Sequence, residues 1–161
     1  MRDVEASAPV LLGGAVKVVF SDSFLTGHPE IDREHREIFE IINSVGEAIA
    51  AHEFSMCHRL AGSFLEVCRD HFVHEESILA DLKFPRLAPH ATFHAQLLEK
   101  AEAIRDLCER QSDPDHLGEC FNELVHFFLE DVVKGDLDFV SFLIEKGVAT
   151  PRPCAPALPQ R

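Results

Sequence analysis

HFVHEESILADLKFPRLAPHATFH, residues 71–94, decides the fold of this chain. His71 and Glu75 stand four residues apart, His90 and His94 stand four apart, and Lys83-Phe84-Pro85 interrupts the run between them. Residues at i and i+4 lie one turn above each other on the same helix face. Two successive helices therefore each carry a vertical pair of metal-ligand side chains, and the short connection makes them antiparallel neighbours. Imidazole nitrogen with carboxylate oxygen suits iron, manganese or zinc. One such pair is common by chance; two on facing helices are not.

Working outward, the helix that holds His71 and Glu75 starts after Ser55, a fair N-cap, and runs to about Leu82. It buries Leu60, Phe64, Val67, Cys68, Ile78 and Leu79 beside those two residues, and Phe84-Pro85 ends it. The next helix runs from Ala88 or Pro89 to about Gln111, with Phe93, Leu97, Leu98, Ala101, Ile104 and Leu107 inward beside His90 and His94. Upstream, Ile31, His35, Ile38, Phe39, Ile42 and Val45 recur at steps of three and four, which predicts an amphipathic helix over 31–52 with His35 in its buried stripe. Downstream, Ser112-Asp113-Pro114-Asp115 supplies a cap and an N1 proline for a fourth helix, which Gly147 stops after about Lys146. Four long amphipathic helices with short links predict an all-α, up-down-up-down four-helix bundle over residues 21–147. Residues 1–20 read as an irregular N-terminal arm. Residues 148–161, which end in TPRPCAPALPQR, read as a disordered Pro-rich tail.

Composition narrows the partners. A chain of 161 residues is one domain that needs no staples. Thirteen Phe with no Trp and no Tyr point to a core of Phe and aliphatics. The net charge is -13 and no basic cluster stands out, which argues against nucleic acid and against an anionic membrane. The apolar run from Ala8 to Phe20 is broken by Gly13-Gly14 and Lys17. It is too short to span a bilayer and lacks the positive flank of a signal peptide. Five cysteines, an odd number with no CxxC, indicate reduced thiols and a cytoplasmic setting.

Each candidate ligand has an ordinary reading when taken alone: a satisfied core histidine for His35, a surface hydrogen-bonded pair for His71 with Glu75. Together they reverse the weighing. Titratable side chains occupy apolar stripes where Leu or Ile belongs, and burying them without partners costs several kcal/mol. A shared metal centre satisfies them all at once. His28, His52, His58, His74 and His116 fall in loops, at helix ends or off the buried stripes, and read as solvated.

The fourth helix offers two pairs, His126 with Asp131 and Asp131 with Asp136, both at a five-residue step. Such a step rotates about 140° on a regular helix, so the pair needs a local π-bulge or must straddle the site. Phe127, Phe128, Val132, Leu137, Phe139, Val140, Phe142 and Leu143 make the surroundings of Asp131 apolar, whereas Asn122 and Glu123 make those of His126 polar. Asp131 and Asp136 are accordingly the favoured inward pair, with His126 and Asp131 the alternative.

These residues resemble the hemerythrin family, bacterial hemerythrins and hemerythrin-like domains in particular, over roughly residues 20–143. GHPEIDREHREIFEIIN, residues 27–43, is similar to the family's first-helix signature and puts His35 in the ligand position. HFVHEE resembles the HFxxEE motif and HATFH the HxxxH motif. In the fourth helix the family shows an aromatic and Leu, then His-Ile, an Asp five residues after that His, and an aromatic. Phe127-Phe128, Asp131-Val132, Asp136 and Phe139 follow this frame, with Asp131 where the family has its fifth histidine. The resemblance implies two non-haem iron ions (Fe2+/Fe3+) joined by a bridging oxo or hydroxo group, with Glu75 and Asp136 as bridging carboxylates. It puts His35 and His71 on the iron left open for dioxygen, and His90, His94 and Asp131 on the other. The implied function is dioxygen binding for sensing, storage or delivery, by a binding protein rather than an enzyme. The alternatives are a di-iron redox enzyme for peroxide turnover or ferrous oxidation, and a metal-binding signalling module. An added anion against the iron favours the ferric state, which implies faster autoxidation than in five-histidine relatives.

Overall fold

The computed structural model describes residues 10–12, 15–110 and 113–151. Its first helix, α1, spans Pro29–Ala50; α2 spans Phe54–Asp81 and α3 Leu87–Arg110. The fourth rod is composite: α4 at Pro114–Leu129, a π-helical segment at Glu130–Gly135, and α5 at Leu137–Glu145. α1 packs on α2 and α4, and α3 packs on the same two, so the rods close into the expected up-down-up-down bundle. Before them lies a short antiparallel ribbon, β1 (Val10–Leu12) with β2 (Ala15–Lys17), where the sequence suggested an irregular arm. Val10, Val16 and their apolar neighbours favour extended backbone, and Gly13-Gly14 between the strands is a strong hairpin signal. Residues 1–9 and the tail from residue 152, including Cys154, lie outside the described residues.

The helix ends follow from local chemistry. Pro29 opens α1, where its missing N–H costs nothing and its fixed φ suits the first turn. Three ends close with paired reverse hydrogen bonds around a left-handed residue. At the end of α2, Lys83 takes φ 60°, its N–H donates to Ala80 O, and Phe84 N–H donates to Leu79 O. His52 (φ 57°) and Gly147 (φ 74°) do the same for α1 and α5. α2 begins at Phe54 with Glu53 at its N-cap, two residues before the expected Ser55.

The apolar core is divided in two: a small cluster of Ile31, Leu79, Phe84, Phe139 and Leu143 at one end and a larger one along the rest of the bundle. Ile38, Phe39 and Ile42 of α1 meet Phe64 and Phe72 of α2, Leu97 and Ala101 of α3, and Phe127 and Phe128 of α4. Two small latches hold the segment before α1 in place. Asn43 pairs with both backbone groups of Val18, at 2.9 and 3.1 Å. Buried Asp32 accepts from Thr26 N–H (2.6 Å), Thr26 Oγ1 (2.7 Å) and Gly27 N–H (3.0 Å). Thr150 then lies directly on Gly27, where a Cβ would collide with its carbonyl oxygen, so the chain beyond α5 is pinned to the entry of α1.

Candidate metal centre

Antiparallel packing puts the start of α1, the end of α2, the start of α3 and the end of the fourth rod in the same half of the bundle. His35 comes from α1, His71 and Glu75 from α2, His90 and His94 from α3, and Asp131 and Asp136 from the π segment and its far edge. All seven are buried. His35 Nε2 is 3.1 Å from His71 Nε2 and 3.1 Å from an Asp136 carboxylate oxygen. Glu75 lies across the middle, one oxygen 2.6 Å from His90 Nε2 and 3.3 Å from His94 Nε2, the other 3.5 Å from His71 Nε2. The donor atoms fall into three sets, each mutually within 4.8 Å: His35, His71 and Asp131; Glu75, His90 and His94; His35, Glu75 and Asp136.

The π segment makes the five-residue step work. Its wider turn closes with Asp136 N–H donating to Asp131 O at 3.1 Å, which brings both carboxylates to the same side of the rod. His126 is exposed, in a surface groove between α3 and α4 with Lys100 and Glu123, and does not reach the cluster. The grouping of Asp131 also differs from the sequence expectation, which set it with His90 and His94. One of its oxygens lies 3.8 Å from His71 Nε2 and the other 3.7 Å from His94 Nε2, so it stands between the two halves.

The electrostatics suit a cation. Burial, with the nearby His71 charge adding to it, drops His35 to about 3, so its imidazole is neutral. Burial opposes the charge on Glu75 too, but the hydrogen bond with His90 and the neighbouring His94 and His71 outweigh it and hold the carboxyl well below its usual range. Asp131 is pushed up to about 6: burial is the largest cause and the Glu75 charge adds to it, against the pull of His71, His94 and His90. Glu75 Oε2 and Asp131 Oδ1 are buried with no hydrogen-bond partner among the described residues. Unmet buried acceptors cost about 1–3 kcal/mol each. Two nitrogens on one cation, each about 2.1 Å from it and at right angles, stand about 3.0 Å apart, close to the His35–His71 spacing. Four imidazoles and three carboxylates thus fit divalent cations by donor type and by the acceptors left unmet.

A family model for the Hemerythrin HHE cation binding domain matches residues 26–134, a span that holds six of the seven residues and stops just short of Asp136. The chain belongs to the hemerythrin family. It is also similar to the Bacteriohemerythrin of Clostridium acetobutylicum, at 27% identity over 128 residues covering 76% of this chain and 98% of that protein.

This member of the hemerythrin family surrounds its cluster with partners that the sequence reading missed. One Glu34 oxygen accepts from His71 Nδ1 at 2.8 Å and the other from His74 Nδ1 at 2.6 Å; Glu76 accepts from His94 Nδ1 at 2.8 Å. A neutral histidine that gives its Nδ1 proton to a carboxylate presents an Nε2 lone pair inward in a fixed orientation. His74 is therefore half-buried and bonded rather than solvated, with Glu30 3.3 Å from its other nitrogen. Burial opposes ionisation of Glu34, yet bonds from His71 and His74 win and keep it anionic. The only sequence signal for these residues is adjacency, Glu34 beside His35 and Glu76 beside Glu75. Phenylalanine fills the remaining space: Phe72 stacks on the His94 ring at 3.9 Å, Phe139 meets His90 at 5.3 Å and Phe128 meets His35 at 6.2 Å. No helix among the described residues is long and apolar enough to cross a membrane.

Proposed function

We propose that this hemerythrin-family chain binds two non-haem iron ions in the seven-residue cluster and takes up dioxygen there. Support comes first from one observation: Glu75 Oε2 and Asp131 Oδ1, buried and without hydrogen-bond partners, lie among four imidazoles. His35 and His71 would hold one ion, His90 and His94 the other, with Glu75 and Asp136 shared between them. Two ferrous ions, when bound, supply two electrons to dioxygen. The chain's own residues set the conditions. Glu34 and Glu76 fix the imidazoles of His71 and His94. Phe72, Phe128 and Phe139 exclude water, so small apolar dioxygen partitions inward while charged reductants stay out.

Asp131 favours a second reading. Three carboxylates lie against the two cations, and close anions in a dry site stabilise the higher metal charge. Oxidation is then fast and reversible carriage short-lived, which suits sensing, or redox turnover of peroxide or ferrous iron, better than storage. Stopped-flow mixing of the diferrous protein with oxygenated buffer tests both readings. The expected result is uptake of one dioxygen per two irons and passage to the oxidised form within minutes. Oxidation no faster than that of free ferrous ion contradicts the proposal, and an oxygenated spectrum stable for hours in air contradicts the second reading.

A further inference from the structure

We infer that Asp131 serves both metal positions rather than one, dividing the four imidazoles two and two between positions that share three carboxylates. The inference rests on the two-metal reading above and concerns how this chain completes it. The observation is a likeness between two side chains. Glu75 turns one oxygen to His71 (3.5 Å) and the other to His90 and His94 (2.6 and 3.3 Å). Asp131, from the opposite rod, turns one oxygen to His71 (3.8 Å) and the other to His94 (3.7 Å). Both carboxylates therefore span the line between the histidine pairs from opposite sides. An imidazole at position 131 would offer the site a single nitrogen, its second pointing away; only a two-headed ligand can face both positions.

The surroundings hold Asp131 in this attitude. Its oxygen nearest His94 rests over Gly135, whose added Cβ would lie 3.4 Å from it and 2.8 Å from the Phe93 ring. Gly135 is buried, so the α3 side chain Phe93 seats on bare backbone and the π segment comes close to α3. Neither position is then filled by three protein nitrogens, and an incoming dioxygen or peroxide meets two positions of equal nitrogen count. This arrangement suits redox exchange at both ions better than binding at one.

Anaerobic titration of the metal-free protein with Co2+, followed by equilibrium dialysis and visible absorption, tests the inference. The wild type is compared with Asp131→Ala, Asp131→Asn, His71→Ala and His94→Ala, each checked for helix content by circular dichroism. Two Co2+ per wild-type chain are expected. His71→Ala and His94→Ala should each retain one ion within a few-fold of wild-type affinity. Asp131→Ala and Asp131→Asn should weaken both ions, each tenfold or more. Should Asp131→Ala behave like His94→Ala, keeping one ion at wild-type affinity, the inference is overturned while the two-metal reading stands. Fewer than two Co2+ on the wild type overturns that reading itself. If Asp131→Ala fails to fold, Asp131→Asn decides alone.

Discussion

Replacing Asp131 by Asn should stabilise the metal-free protein, and the size of the gain should depend on pH. In the folded chain Asp131 ionises only at about 6, against 3.8 for an unperturbed carboxyl. The shift is upward, so between roughly pH 4 and pH 6 the folded chain keeps a proton that the unfolded chain releases, and stability falls as pH rises through that window. At pH 7.5 the folded apoprotein carries the full penalty, about 3 kcal/mol. At pH 5 the group is mostly protonated when folded and the penalty is about half as large. Asn has the same shape and no charge. Urea unfolding of chelator-treated wild type and Asp131→Asn at both pH values should show the variant more stable at pH 7.5, with the gain shrinking toward pH 5. Bound metal reverses the sign, because the carboxylate then has cations to face. A variant no more stable than wild type at pH 7.5, or an equal gain at both pH values, would show that Asp131 carries no such burial penalty.

Other substitutions probe separate links. Gly135→Ala drives a methyl to within 2.8 Å of the Phe93 ring and 3.4 Å of Asp131 Oδ1. Overpacking of this kind costs about 1–3 kcal/mol, and metal content should fall with it. Gly118→Ala, which meets nothing within 4 Å, should leave metal content unchanged in the same measurement. Glu34→Gln removes the charged acceptor of His71 Nδ1 and should lower metal affinity by about tenfold or more in chelator competition. Lys83→Gly relieves a left-handed non-glycine cap and should raise thermal stability by about 1 kcal/mol. His126→Ala should alter metal content not at all, since that side chain sits outside the cluster.

Most of the architecture is legible as periodicity. Ile31, His35, Ile38, Phe39, Ile42 and Val45 are all buried as their spacing demands. The exceptions have local causes. Ala101, Ile104 and Cys108 take the inward positions of α3, leaving Leu107 36% exposed at the flank although it is the more apolar residue. Asp136 faces inward, so Leu137, about 100° further round, turns outward and is 51% exposed. Glu34 and Glu76 escape sequence reasoning because their partners are 37 and 18 residues away, across helix interfaces. A charged residue on a helix flank reads as solvated until the neighbouring helix is placed. The five-residue step from Asp131 to Asp136 was the one readable clue to the π segment, and position alone could not say which histidine pair Asp131 would face.

The most direct measurement is an anomalous-difference map at the iron edge from crystals of iron-loaded protein. Two peaks are expected inside the bundle, enclosed by His35, His71, Glu75, His90, His94, Asp131 and Asp136, with Asp131 density reaching toward both. Absence of anomalous signal there, with iron held only by exposed carboxylates, would contradict it.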